Sequence, residues 1–188
     1  EFRPNWTGSS WSLQTSGFSN PHVPGTVLQR WSGATITSGM NEVNNPGTPD
    51  DGRVYIGQTV TDNGDGTWHY EYALHNRDND RGIGAFRLPT DAGTVITNAS
   101  FRDIDGNPGN DWTFANSGSE IAWTTGSNPL RWNTIYNFSF DANTAGASSA
   151  STLDQFDAGG GASAFPVSVT APLGGTSTTV TYCQGKQN

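Results

Sequence analysis

The sequence predicts an all-β protein, an antiparallel β-sandwich with an extended N-terminal arm. Three observations carry that expectation. Apolar and polar residues alternate along many short stretches, the period of a strand with one wet face. Clusters of Gly, Asn, Asp and Pro divide those stretches every ~8–15 residues, the spacing of a sandwich or barrel. The composition disfavours helix, because the 188 residues include 24 Gly, 10 Pro, 23 Thr, 18 Ser and 17 Asn, all poor helix-interior residues. The 7 Trp, 5 Tyr and 9 Phe supply the large side chains that a core needs and a disordered chain lacks.

The arm comes first, as residues 1–25 with its linker. Phe2 to Gln14 reads as a strand through Trp6, Trp11 and Leu13, and a stretch rich in Gly, Asn and Pro follows. The same segment also reads as an ordinary first strand after a loop. The sandwich is assigned to residues 26–182 and a tail to 183–188. Val27 to Ile36 reads as a strand, and Thr37 to Gly52 is rich in turn residues. Arg53 to Asp62 and Thr67 to Asn76 are strands joined by Asp62-Asn63-Gly64-Asp65-Gly66, the strongest hairpin signal in the chain. Trp68, Tyr70, Tyr72 and Leu74 fall on one face of the second strand, and His69, Glu71, Ala73 and His75 on the other. Further strands are expected at Ile83–Leu88, Thr94–Ile104, Asp111–Ala115, Glu120–Thr124, Leu130–Asp141, Ala150–Phe156, Ala164–Thr170 and Thr178–Tyr182.

Two stretches carry a resemblance: Tyr70-Glu-Tyr-Ala-Leu-His-Asn76, and Gly84-Ala-Phe-Arg-Leu-Pro89 after it. With Phe101-Arg-Asp-Ile-Asp105, Asp111-Trp112 and the run Leu130–Asp141, they resemble Ig-like modules of large secreted bacterial proteins of planctomycete type, whose function is not established. The resemblance spans roughly residues 50–172. It implies an immunoglobulin-like sandwich and an extracellular, cell-surface location, but no activity. The ending Thr181-Tyr-Cys-Gln-Gly-Lys-Gln187 resembles the start of a further Cys-containing segment in such proteins. With Glu1 opening the chain, that suggests a processed product or a fragment.

Charge and cysteine narrow the function classes. A net charge of −8, with Lys186 the single lysine, argues against a nucleic-acid partner. No apolar run reaches the ~20 residues needed to span a membrane as a helix. One cysteine, Cys183, allows no internal disulfide and no thiolate metal cage.

The candidate chemistry is sparse. Gly-x-Ser-x-Gly and His-Glu-x-x-His are absent from the sequence, so a non-enzymatic role is expected. Asp103, Asp105, Asn107 and Asp111 offer oxygen ligands in a Gly-rich loop, a possible calcium site, or else a run of Asx turns. His69, Glu71 and His75 share a strand face, but the ~13 Å from Glu71 to His75 is too long for one ion. Asn5, Asn98 and Asn137 head glycosylation sequons. Trp68, Trp112, Trp123 and Trp132 are expected in the core. Phe2, Trp6, Trp11 and Leu13 are the candidate partner-binding residues of the arm. The leading expectation is a filament subunit assembled from copies of itself by donor-strand exchange of that arm. The alternative is a carbohydrate-binding module with a polysaccharide partner and surface aromatics.

Overall fold

Alternation in the sequence becomes two packed sheets in the computed structural model. The structure describes residues 3–14, 25–41 and 52–174, and for residues 3–5, 11, 13 and 14 the backbone alone. Within these, the strands are β1 (Arg3–Trp6), β2 (Trp11–Gln14), β3 (Thr35–Met40), β4 (Arg53–Asp62), β5 (Trp68–Asn76), β6 (Ile83–Pro89), β7 (Ile96–Arg102), β8 (Thr113–Asn116), β9 (Glu120–Thr124), β10 (Thr134–Ala142), β11 (Ala147–Gln155) and β12 (Ala164–Ala171). One five-stranded sheet has the order β3-β4-β5-β10-β7, the other β12-β11-β6-β9-β8, and β1 with β2 forms a separate two-stranded ribbon. The pairings are antiparallel throughout. The strand expected at 178–182, Phe2 and the tail 183–188 lie outside the described residues.

The inward faces meet in an aromatic core. On β5, Tyr70, Tyr72 and Leu74 are fully buried, as their alternation predicts. Phe138 of β10 sits at the centre, with ring centroids of Phe86, Phe101, Trp112 and Trp123 at 5.1, 5.3, 5.4 and 5.5 Å. Tilted and edge-on contacts predominate, the arrangement that ring quadrupoles favour. Two polar groups are anchored where they enter the core. Trp112 Nε1 donates to Asn128 O at 2.6 Å, and the Tyr136 hydroxyl donates to Asn128 Oδ1 at 2.8 Å.

One side of the sandwich is closed by side chains. The free edge of β12 would leave main-chain groups unpaired. Thr37 Oγ1 donates to Ser168 O (2.7 Å), Thr170 N donates to Gln58 Oε1 (2.8 Å), and the Tyr72 hydroxyl donates to Thr170 O (2.5 Å). All three partners come from the opposite sheet. Gln58 is therefore a buried amide with a task.

Three expectations need correction. Val27 to Ile36 is not a strand. Val27–Arg30 is a short 3-10 helix capped by Thr26, whose hydroxyl accepts from Leu28 N at 3.2 Å. Gly33, at φ 81°, breaks the chain before β3, which runs into the segment expected to be turns. Second, Phe2 to Gln14 is not one strand, since β1 and β2 form a hairpin. Third, Trp132 is not in the core but 66% exposed. Asn133 takes φ 59°, and the resulting turn swings Trp132 outward before β10 begins.

Candidate functional site

The ribbon β1–β2 is built by its turn. Thr7 N donates to Ser10 O at 2.9 Å, and Ser10 N donates back to Thr7 Oγ1 at 3.1 Å. Gly8 supplies the φ of 96° that a side chain would resist. The register sets Trp6 opposite Trp11, Asn5 opposite Ser12 and Pro4 opposite Leu13. Trp6 is 53% exposed. Among the described residues neither strand of the ribbon pairs with a third strand.

The acidic loop forms a chain of Asx turns. Asp103 Oδ1 accepts from Asp105 N (2.9 Å), Asp105 Oδ1 from Asn107 N (2.7 Å), and Asn107 Oδ1 from Gly109 N (3.1 Å). The second carboxylate oxygens are also engaged. Asn128 Nδ2 donates to Asp103 Oδ2 (2.7 Å) and Asn110 Nδ2 to Asp105 Oδ2 (3.2 Å). Asp103, Asp105 and Asp111 line an open cleft of about 370 Å³ beside Phe101, Arg102 and Pro108. Among the described residues no three His, Cys, Asp or Glu side chains group to hold a metal ion.

The strand-face set separates as well. His69 Nδ1 donates to Asp141 Oδ1 at 2.7 Å, and Asn98 Nδ2 donates to Asp141 Oδ2 at 2.6 Å. Asn98 first, and His69 after it, hold the Asp141 carboxyl below the usual carboxylate range. With Nδ1–H committed to the carboxylate, Nε2 of the neutral ring is its acceptor. His75 is buried instead, at 2.7 Å from Thr26 Oγ1. Glu71 lies between them, in a small cleft of about 90 Å³ with Ser100, Arg102, Asn137 and Ser139.

The three sequons fall in different settings. Asn5 lies in β1. Asn98 is exposed but sits at φ 52° in a bulge of β7, with its amide nitrogen on Asp141. Asn137 is exposed on the outer face of β10. Sequence reasoning missed Asp141, Asn128 and Thr26 as organising residues. Each has a partner far off in the chain, 72, 25 and 49 positions away, which only the fold brings near.

Comparison with family models, with curated proteins and with solved structures gives no match for this chain. The geometry therefore stands by itself. It presents two contact features, the ribbon and the side of the sandwich opposite the β3–β12 closure. On that side β7 and β8 are the edge strands. Ile96, Phe101 and Phe114 are there only partly buried against the core, and Val95 beside them is 57% exposed.

Proposed function

We propose that the chain is an extracellular structural subunit that assembles with copies of itself by β-strand addition. The N-terminal ribbon of one copy supplies the added strand, and the open side of its neighbour accepts it. The ribbon carries this reading: it belongs to neither large sheet and presents Trp6 to solvent. A two-stranded ribbon is marginal in water and gains from a further strand or a packing face.

Edge geometry favours β8 as the acceptor. The β12 edge is occupied by Thr37, Gln58 and Tyr72. The β7 edge carries a bulge opposite Ser139–Asp141, and bulges discourage further pairing. The four residues of β8 match the four of β1 or β2. Phe114 and Ile96 give the incoming side chains an apolar bed. A head-to-tail contact of this kind does not close on itself and extends as a filament. The extracellular placement rests on composition and on the resemblance to secreted modules.

Deleting residues 1–14 tests the reading, with polymers followed by electron microscopy and sedimentation. The full chain is expected to form filaments and the truncated chain to remain monomeric and folded. Filaments that form as well without the ribbon would sink it.

A further inference from the structure

The outer face of the β12–β8 sheet holds a cleft of about 310 Å³ on its three central strands, β11, β6 and β9. Phe86 and Trp123, paired across β6 and β9, point into the core, so Ala85, Arg87, Ala122 and Thr124 point outward. Gly84, Ala85, Arg87, Thr124, Asp154 and Phe156 line the cleft. Its aromatic member is firmly placed. A Cβ at Gly84 would meet Phe156 Cδ2 at 2.9 Å, so a side chain there would push the ring off β6. Phe156 N donates to Gly82 O and Asp157 N to Arg81 O, both at 3.0 Å. The Arg131 guanidinium, paired with Asp157, stands 5.3 Å from the Phe156 ring centroid.

The polar member is a guanidinium between two carboxylates. Arg87 Nε and Nη2 donate to Asp154 Oδ2 at 2.9 and 2.8 Å, and Nη1 donates to Glu120 Oε1 at 3.2 Å. All three side chains are partly exposed, where an ion pair adds little stability. It does fix the direction of the groups it leaves over. Both bonds to Asp154 fall on one oxygen, so Oδ1 keeps its capacity to accept. Of the five guanidinium N–H groups two remain to donate. The Thr124 hydroxyl can do either.

These groups select a ligand by charge. One guanidinium against two carboxylates leaves the site net negative, and the whole chain carries −8, so an anion is disfavoured. A cation meets Arg87 and carboxylates already committed to it. A neutral ring with neighbouring hydroxyls meets neither obstacle. One hydroxyl can donate to Asp154 Oδ1 while the next accepts from Arg87, and the apolar face of the ring can cover Phe156. We propose that this cleft binds a neutral saccharide, with Arg87, Asp154 and Thr124 on its hydroxyls and Phe156 against its ring. The site lies on a sheet face, not an edge, and is independent of strand addition at β8.

A glycan array tests the proposal, probed with the full chain and carrying neutral hexose and pentose oligomers beside uronic acid oligomers. A neutral oligomer should bind. In Arg87→Met and in Asp154→Ala its affinity, measured by calorimetry, should fall about tenfold or more. Phe156→Leu and Thr124→Val keep the ion pairs and should weaken binding several-fold at an unchanged melting temperature, which separates lost binding from lost fold. Deleting residues 1–14 should leave binding intact, so the outcome is distinct from that of the assembly test. Binding of no neutral oligomer, or of uronic acid oligomers alone, overturns the proposal. So does binding that survives Phe156→Leu and Thr124→Val but is lost in Trp132→Ala, because the exposed Trp132 ring would then be the platform.

Discussion

At the scale of single residues, buried polar groups are legible only once their partners are known. Tyr72 reads in the sequence as one of several inward aromatics, and it is. Its hydroxyl, however, closes the free edge of β12 on Thr170 O, and burial pushes its pKa well up. Tyr72→Phe keeps the ring and deletes the donor, leaving a carbonyl unpaired beside the core. The expected cost is ~1–2 kcal/mol of unfolding free energy, read as a lower urea midpoint at unchanged slope. No change would mean that another group reaches Thr170 O. Trp132 teaches the opposite lesson. Its position fits the alternation of Tyr136, Phe138 and Phe140, yet Asn133 in the left-handed region breaks that alternation. Asn is the residue besides Gly that enters this region most readily, but an Asn amid an alternating run does not announce a turn.

At the scale of elements, legibility follows side-chain contrast. β4 and β9 have the bounds that the pattern predicts, because Val, Ile and Trp alternate there with polar residues. β11 begins three residues earlier than expected, since its first four residues are Ala147-Ser148-Ser149-Ala150, without large apolar side chains to mark a strand. The 3-10 helix is read as a strand because Val27 and Leu28 suit either, while its cap depends on the Thr26 side chain. The acidic loop is also an element with two readings. Its carboxylates hold backbone amides, so Asp105→Ala loses the bonds from Asn107 N and Asn110 Nδ2 and should cost about 1 kcal/mol. That loss should be the same with and without calcium, and calcium should leave the wild-type melting temperature unchanged. A calcium-dependent rise in melting temperature, abolished in Asp105→Ala, would mean that the loop exchanges its amides for the cation.

At the scale of the whole molecule, the two sides of the sandwich differ, and net charge decides how copies meet. The β3–β12 side is tied by hydrogen bonds from Thr37, Gln58 and Tyr72, whereas the β7–β8 side keeps Val95 and Phe114 within reach of solvent. Strand addition on that side would join copies through uncharged main-chain groups and apolar side chains. Each copy carries a formal charge of −8, so the long-range term between copies is repulsion. Screening shortens its range from ~30 Å at 0.01 M salt to ~10 Å at 0.1 M. The protein concentration at which polymers appear should therefore fall over that range, measured by sedimentation at fixed pH. Ion pairing across the junction would give the reverse dependence, because salt would then screen the attraction that holds it. A rise in the threshold concentration with salt would thus replace strand addition with an electrostatic contact, and would move the search from Trp6 and Phe114 to the arginines and carboxylates of the two faces.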